Sequence, residues 1–134
     1  MKILFFANTD WYLFNFRLPL ARFLRAQGHD VVMVSPHGPY GNRMAADGFR
    51  WVPLSMERRS LNPLREAANL KRLVDIYRDE APDLAHHFTI KCVVYGTLAA
   101  RLTRVPGVVN AVAGLGFVFV SGTPRARLLR PLVR

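Results

Sequence analysis

The chain is predicted to be an α/β protein, with a mostly parallel sheet and helices on both faces. Three observations lead there. Short apolar runs recur at Met1–Ala7, Val31–Ser35, Phe49–Leu54, Leu84–Phe88 and within Val105–Val112. Segments with helical spacing separate them, giving the order β-α-β-(α)-β-α-β-α-β. The composition is 51% hydrophobic, which fits strands covered on both faces.

Each element has its own signal. The first strand ends at the polar break Asn8-Thr9-Asp10, and Asn8 to Asn15 is expected to be a loop at its carboxyl end. Asn15 is a candidate cap for a helix from about Phe16 to Gln27, with Pro19 in the first turn, where no backbone donor is needed, and Gly28 after the last. The second strand runs into Ser35–Gly41, dense in Gly and Pro; a short helix is expected from Asn42 to Asp47, closed by Gly48. Pro53 marks the third strand as short or at an edge. Ser55 to Leu61 is a polar loop carrying Arg58 and Arg59. Asn62-Pro63 then combines a cap with proline at the first helical position. Leu64, Ala67, Ala68, Leu70, Leu73, Val74 and Tyr77 make that helix's apolar face, and Pro82 ends it. Cys92 to Thr103 is apolar nearly all round and reads as a largely buried helix. Thr123 to Arg134 looks like the start of a basic helix broken at Pro131.

Length and charge narrow the function. One domain's worth of chain, 134 residues, carries a formal net charge of +10, and no acidic residue follows Asp83. A basic C-terminal third suits phosphates, anionic lipid or nucleic acid, or is simply a solvated surface. The single cysteine, Cys92, cannot form an internal disulfide, so a reducing cytoplasm is the simplest setting. No Cys/His set has zinc-site spacing, and no metal is expected. Val105 to Pro124 is uncharged, but Pro106, Gly107, Gly114, Gly116 and Gly122 argue against a spanning helix.

Candidate site residues gather at strand ends. Asn8 to Leu13 holds no glycine, so neither a dinucleotide fingerprint nor a Walker loop follows the first strand. Gly114-Leu115-Gly116 follows the fifth strand, with Phe119 where a third glycine would stand. His86 and His87 alternate to opposite sheet faces, so one could meet the cleft and orient or deprotonate a hydroxyl while the other packs. Lys91, near a helix start, could meet a phosphate; a solvated lysine is the plain alternative. Arg58 and Arg59 could grip an anion bidentately or simply be solvated. Trp11, Tyr12 and Phe14 could form an apolar or sugar-stacking lip, or staple the first helix. Ser35 lies in no G-x-S-x-G, which argues against acyl-transfer hydrolysis.

Taken together, MKILFFANTDWYLFNFRLPLARFLRAQGHDVVMVSP, LNPLREAANLKRLVDIYRDEAPDLAHHFTIKCVVYGTLAARL and VVNAVAGLGFVFV resemble retaining glycosyltransferases of the family 4 type, which have the GT-B fold. The subgroup resembled adds sugars to polyprenyl-diphosphate-linked saccharides. Its D-x-x-H-x-x-x-x-K and G-L-G motifs are matched by Asp83, His87 (or the adjacent His86), Lys91 and Gly114 to Gly116. The resemblance implies that residues 1–134 form a Rossmann-like, acceptor-binding N-terminal domain, an incomplete half of the fold, with the C-terminal donor domain absent. A fragment of this kind is not expected to transfer sugar alone.

The implied partners are a nucleotide-sugar donor, a lipid-linked saccharide acceptor, an anionic membrane surface and the missing donor domain, with no nucleic acid and no cofactor. The implied location is the cytoplasm, peripheral on the inner face of the cell membrane. Asn8, Thr9, Asp10, Trp11, Arg58, Arg59, Lys91, Asn110, Gly114 and Gly116 are the expected substrate contacts, and His86 and His87 the weak catalytic candidates. The sequence departs from the family where Cys92 follows Lys91 in place of proline and where Ala113 precedes the G-L-G in place of threonine. Asn110 to Ala113 also lacks the histidine that several members carry, leaving that role unassigned. Two rivals stand beside this reading: a sugar-nucleotide epimerase of the same fold, and a non-enzymatic basic module for RNA or anionic membrane.

Overall fold

A computed structural model describes residues 1–54 and 62–111. Five parallel strands form one sheet: β1 (Lys2–Phe6), β2 (Asp30–Ser35), β3 (Arg50–Pro53), β4 (Leu84–Phe88) and β5 (Gly107–Ala111). Their spatial order is β3-β2-β1-β4-β5. The chain builds outward from β1 through β2 to β3, then crosses back to add β4 on the other side of β1. The strand order therefore reverses between β1 and β4, whose register pairs Phe6 with His87. In such sheets the carboxyl ends of the two strands at the reversal open a crevice.

The helices are α1 (Asp10–Tyr12), a π-helical turn (Leu13–Arg17) that runs into α2 (Leu18–Ala26), α3 (Pro39–Ala46), α4 (Pro63–Glu80) and α5 (Ile90–Thr103). Alternate residues of the strands feed two cores. Leu4, Phe6, Val32 and Val34 pack with Leu73, Tyr77, Cys92 and Ala99 beneath α4 and α5. Ile3, Phe5, Val31 and Met33 pack with Leu13, Leu18, Ala21 and Met44 beneath the α1–α3 side. The two-sided, parallel architecture expected from the sequence is the one observed.

Several boundaries differ from expectation for local reasons. The stretch Asn8–Asn15 is largely helical, because Thr9 is the cap: its Oγ1 accepts from Tyr12 N at 3.0 Å. Asn15 lies inside the helical run and donates to Trp11 O instead. Pro19 cannot supply a backbone donor, and the wider π turn falls immediately before it. Helix α3 starts at Pro39, three residues early, because the Asp10 carboxylate accepts from Tyr40 N and Gly41 N across the fold. Leu64, Ala67 and Ala68 are exposed, since the first turns of α4 stand clear of the sheet and burial begins at Asn69. Leu98 and Leu102 are also exposed, so α5 buries one face rather than its whole circumference.

Other expectations hold. Asn62 caps α4, Gly28 takes a left-handed φ of 92°, β3 is an edge strand and β4 spans Leu84–Phe88. Arg58, Arg59, Gly114, Gly116 and the basic segment after Thr123 lie outside the described residues. Among the described residues, no helix is long and apolar enough to cross a membrane.

A candidate crevice at the strand-order reversal

Asn8, Thr9, Trp11, Tyr12 and Thr89 line a hollow of about 360 Å³ where β1 and β4 end. A larger hollow of about 450 Å³ lies outside the edge strand β3, lined by His37, Val52, Pro53, Leu54, Arg72, Asp75 and Ile76. The first is the stronger candidate because it stands at the reversal, where fixed strand ends hold diverging loops apart.

Thr89 is the most unusual residue of this site. Its φ of 74° with ψ of 153° lies in a region that β-branched residues avoid. Its hydroxyl is buried without a hydrogen-bond partner of normal geometry among the described residues. The neighbouring Cys92 thiol is pushed up to about 12 by burial, an effect Thr89 and Lys91 only partly oppose. Cys92 is therefore a protonated core residue.

The aromatic side of the crevice comes from the irregular helix. Trp11 is half exposed and meets Phe16 edge to face, with centroids 5.4 Å apart. Tyr12 contacts Phe16 and Phe88. Arg17 packs against this wall: its Nη2 donates to the Tyr12 hydroxyl at 2.8 Å, and its guanidinium carbon sits 4.6 Å from the Phe88 ring centroid. Among the described residues, Arg17 makes no ion pair and its Nε is buried without a partner.

The other expected site residues are placed as follows. Thr9 reaches the crevice, but its hydroxyl accepts the α1 capping bond. Asp10 is 7% exposed and is not in the lining; its carboxylate accepts from the Trp11, Tyr40 and Gly41 amides. Lys91 pairs with Glu66 at 3.2 Å, and the Glu66 carboxylate also accepts from the Tyr95 hydroxyl. Burial and that carboxylate push Tyr95 up to about 12.

His86 and His87 do point to opposite faces. His86 packs on Phe5 and Phe88, and burial, the Arg17 charge and His87 pull its pKa down to about 4. His87 is fully buried on the α4–α5 side, with Gly96 opposite its ring where any Cβ would collide. Its Nδ1–H donates to Asn110 Oδ1 at 2.8 Å, leaving Nε2 to accept from Tyr77 at 2.7 Å. Burial pulls His87 down to about 4 despite Asn110, so it is neutral, with both ring nitrogens occupied. Asn110, itself exposed, thus ties the buried His87–Tyr77 pair of β4 and α4 to β5.

Sequence reasoning left out Thr89 and Arg17. Thr89 carried a usable signal, as the residue directly after β4. Arg17 carried none, because its inward turn depends on the π-helical register.

The glycosyl transferase 4-like family model matches residues 2–134. The chain belongs to that family. It is 25% identical over 130 residues to the N,N'-diacetylbacillosaminyl-diphospho-undecaprenol alpha-1,3-N-acetylgalactosaminyltransferase of Campylobacter jejuni subsp. jejuni serotype O:2; the match covers 97% of this chain and 35% of that protein. The chain thus spans about a third of that relative's length. Among solved structures it is similar to a glycosyltransferase from Rickettsia africae ESF-5 (TM-score 0.66, 16% identity, covering 92% of this chain and 34% of the other). It is also similar to the UDP-GlcNAc 2-epimerase of Neisseria meningitidis (TM-score 0.67, 19% identity, covering 98% and 38%). At these identities the likenesses establish a shared fold. This family member has the Rossmann-like sheet of a GT-B half-domain.

Proposed function

We propose that the chain is the acceptor-binding half of a glycosyltransferase that moves a hexosyl or N-acetylhexosaminyl group from a nucleotide-sugar to a lipid-linked saccharide. The observation that carries this reading is the relative matched over 97% of this chain, whose name describes transfer onto a saccharide diphospho-undecaprenol. The crevice is chemically suited to the role. Its lip has an aromatic surface in Trp11 and Tyr12 for sugar or prenyl contact, and Asn8 supplies a polar side chain.

In this reading the donor domain closes over the crevice and brings the sugar. The crevice residues bind and orient the acceptor, while His86 remains a candidate for meeting its hydroxyl. The setting is the cytoplasmic face of the membrane, in surface polysaccharide or glycan assembly. Phe16 and Phe23 are both exposed on the same helical run, apolar surface that suits contact with a membrane.

The test uses the protein at its full encoded length with nucleotide-sugars, with and without a prenyl-diphosphate-linked saccharide. An acceptor-dependent, sugar-extended lipid is expected. Epimerised nucleotide-sugar formed without acceptor would replace this reading with the epimerase alternative.

A further inference from the structure

We propose that Arg17 is the cation that reads the diphosphate of a prenyl-diphosphate ligand seated at the crevice; this rests on the acceptor reading above. Among the described residues, two buried side-chain polar atoms have no hydrogen-bond partner, Arg17 Nε and Thr89 Oγ1. Both adjoin the same aromatic wall. Tyr12, which lines the crevice with Thr89, also accepts the Arg17 hydrogen bond. Phe88, under the guanidinium, directly precedes Thr89.

The chemistry favours an anion. A guanidinium is planar, weakly hydrated and able to stack on aromatic rings while keeping donors for phosphate. Here it lies against both Phe88 and Tyr12, at 4.6 Å and 5.4 Å from their centroids. No carboxylate among the described residues neutralises it: Asp10 accepts from three backbone amides, Asp47 pairs with Arg22 and Arg25, and Glu66 with Lys91. His86, its ionisable neighbour, contributes no negative charge. A half-buried positive charge kept without a counter-ion is satisfied by an anionic oxygen. The π-helical turn that holds Arg17 is a local irregularity of a type frequent at functional sites.

The adjoining exposed Trp11 and Phe16 add apolar surface. The combined chemistry of phosphate charge and hydrocarbon distinguishes a prenyl diphosphate from a free nucleotide. The experiment is calorimetric titration of the chain with inorganic pyrophosphate, farnesyl diphosphate and UDP at low salt. Farnesyl diphosphate is expected to bind tightest, with Arg17→Gln weakening it and pyrophosphate by about tenfold or more and Arg17→Lys by several-fold.

Arg22→Gln is the control and is expected to bind as the parent does. If Arg17→Gln fails to fold, Arg17→Lys decides. Unchanged farnesyl diphosphate binding in the folded variant, equal loss in Arg22→Gln, or tighter binding of UDP than of farnesyl diphosphate each overturns the proposal. Acceptor-dependent sugar transfer that survives Arg17→Gln overturns the Arg17 role alone. Diphosphate binding that depends on Arg17 in a protein without transfer overturns the broader reading and leaves this one.

Discussion

Acidification should cost this fold stability through His87 in a calculable window. Its pKa falls from the ordinary 6.5 to about 4 because burial penalises the charged ring. Below pH 6.5 the unfolded chain takes up a proton that the folded chain refuses until about pH 4. The unfolded state therefore binds more protons across this window, and stability falls as pH falls. The slope is at most about 1.4 kcal/mol per pH unit, and the whole window is worth about 3 kcal/mol.

His86 titrates in the same range, as its pKa is also pulled to about 4, so the parent profile alone is not diagnostic. The difference between the parent and His87→Gln isolates His87. Urea unfolding near neutral pH should show the variant less stable by about 1–3 kcal/mol, since Tyr77 and Asn110 lose a fitted partner. That gap should narrow by about 2 kcal/mol on going to about pH 4.5, because glutamine does not titrate. A gap that stays constant across the range would refute the buried neutral histidine.

Two further substitutions probe the scaffold. Asp10→Ala removes the acceptor for three amides, two of them at the α3 N-terminus, and should lower stability by about 1–3 kcal/mol in urea unfolding. A loss indistinguishable from zero would mean that α3 needs no cap from Asp10. Glu80, nearly buried, holds Lys2 at 2.7 Å and also accepts from Arg50. Burial acts to raise its pKa, but these two partners outweigh it and lower it. Glu80→Gln should cost about 1–2 kcal/mol near neutral pH, and the cost should vanish as acid protonates the parent's carboxylate below its depressed pKa. An acid-independent cost would contradict the ion pairing.

The scaffold was legible because its signals are local. Apolar runs set β1, β2 and β4, Asn62-Pro63 set the start of α4, and Gly28 set a turn. The crevice was only partly legible. Its position at the end of β1 followed from the α/β order, and Trp11 and Tyr12 were visible as misplaced aromatics. Asn15 is the expected cap, but Thr9 fills that place, while Asp10 is drawn to α3 by an amide 30 residues distant. The two histidines show the same limit. Alternation placed them on opposite faces, but that His87 closes a relay between Tyr77 and Asn110 depends on the pairing of β4 with β5.

The acceptor-binding assignment is tested most directly by equilibrium binding to this chain. A short-prenyl diphosphate-linked saccharide and a free nucleotide-sugar should be titrated side by side, with the fluorescence of Trp11 at the crevice lip as the signal and Trp11→Phe as the control. The saccharide lipid is predicted to bind at least about tenfold more tightly, a difference of roughly 1.4 kcal/mol. Equal or tighter binding of the nucleotide-sugar would contradict the assignment.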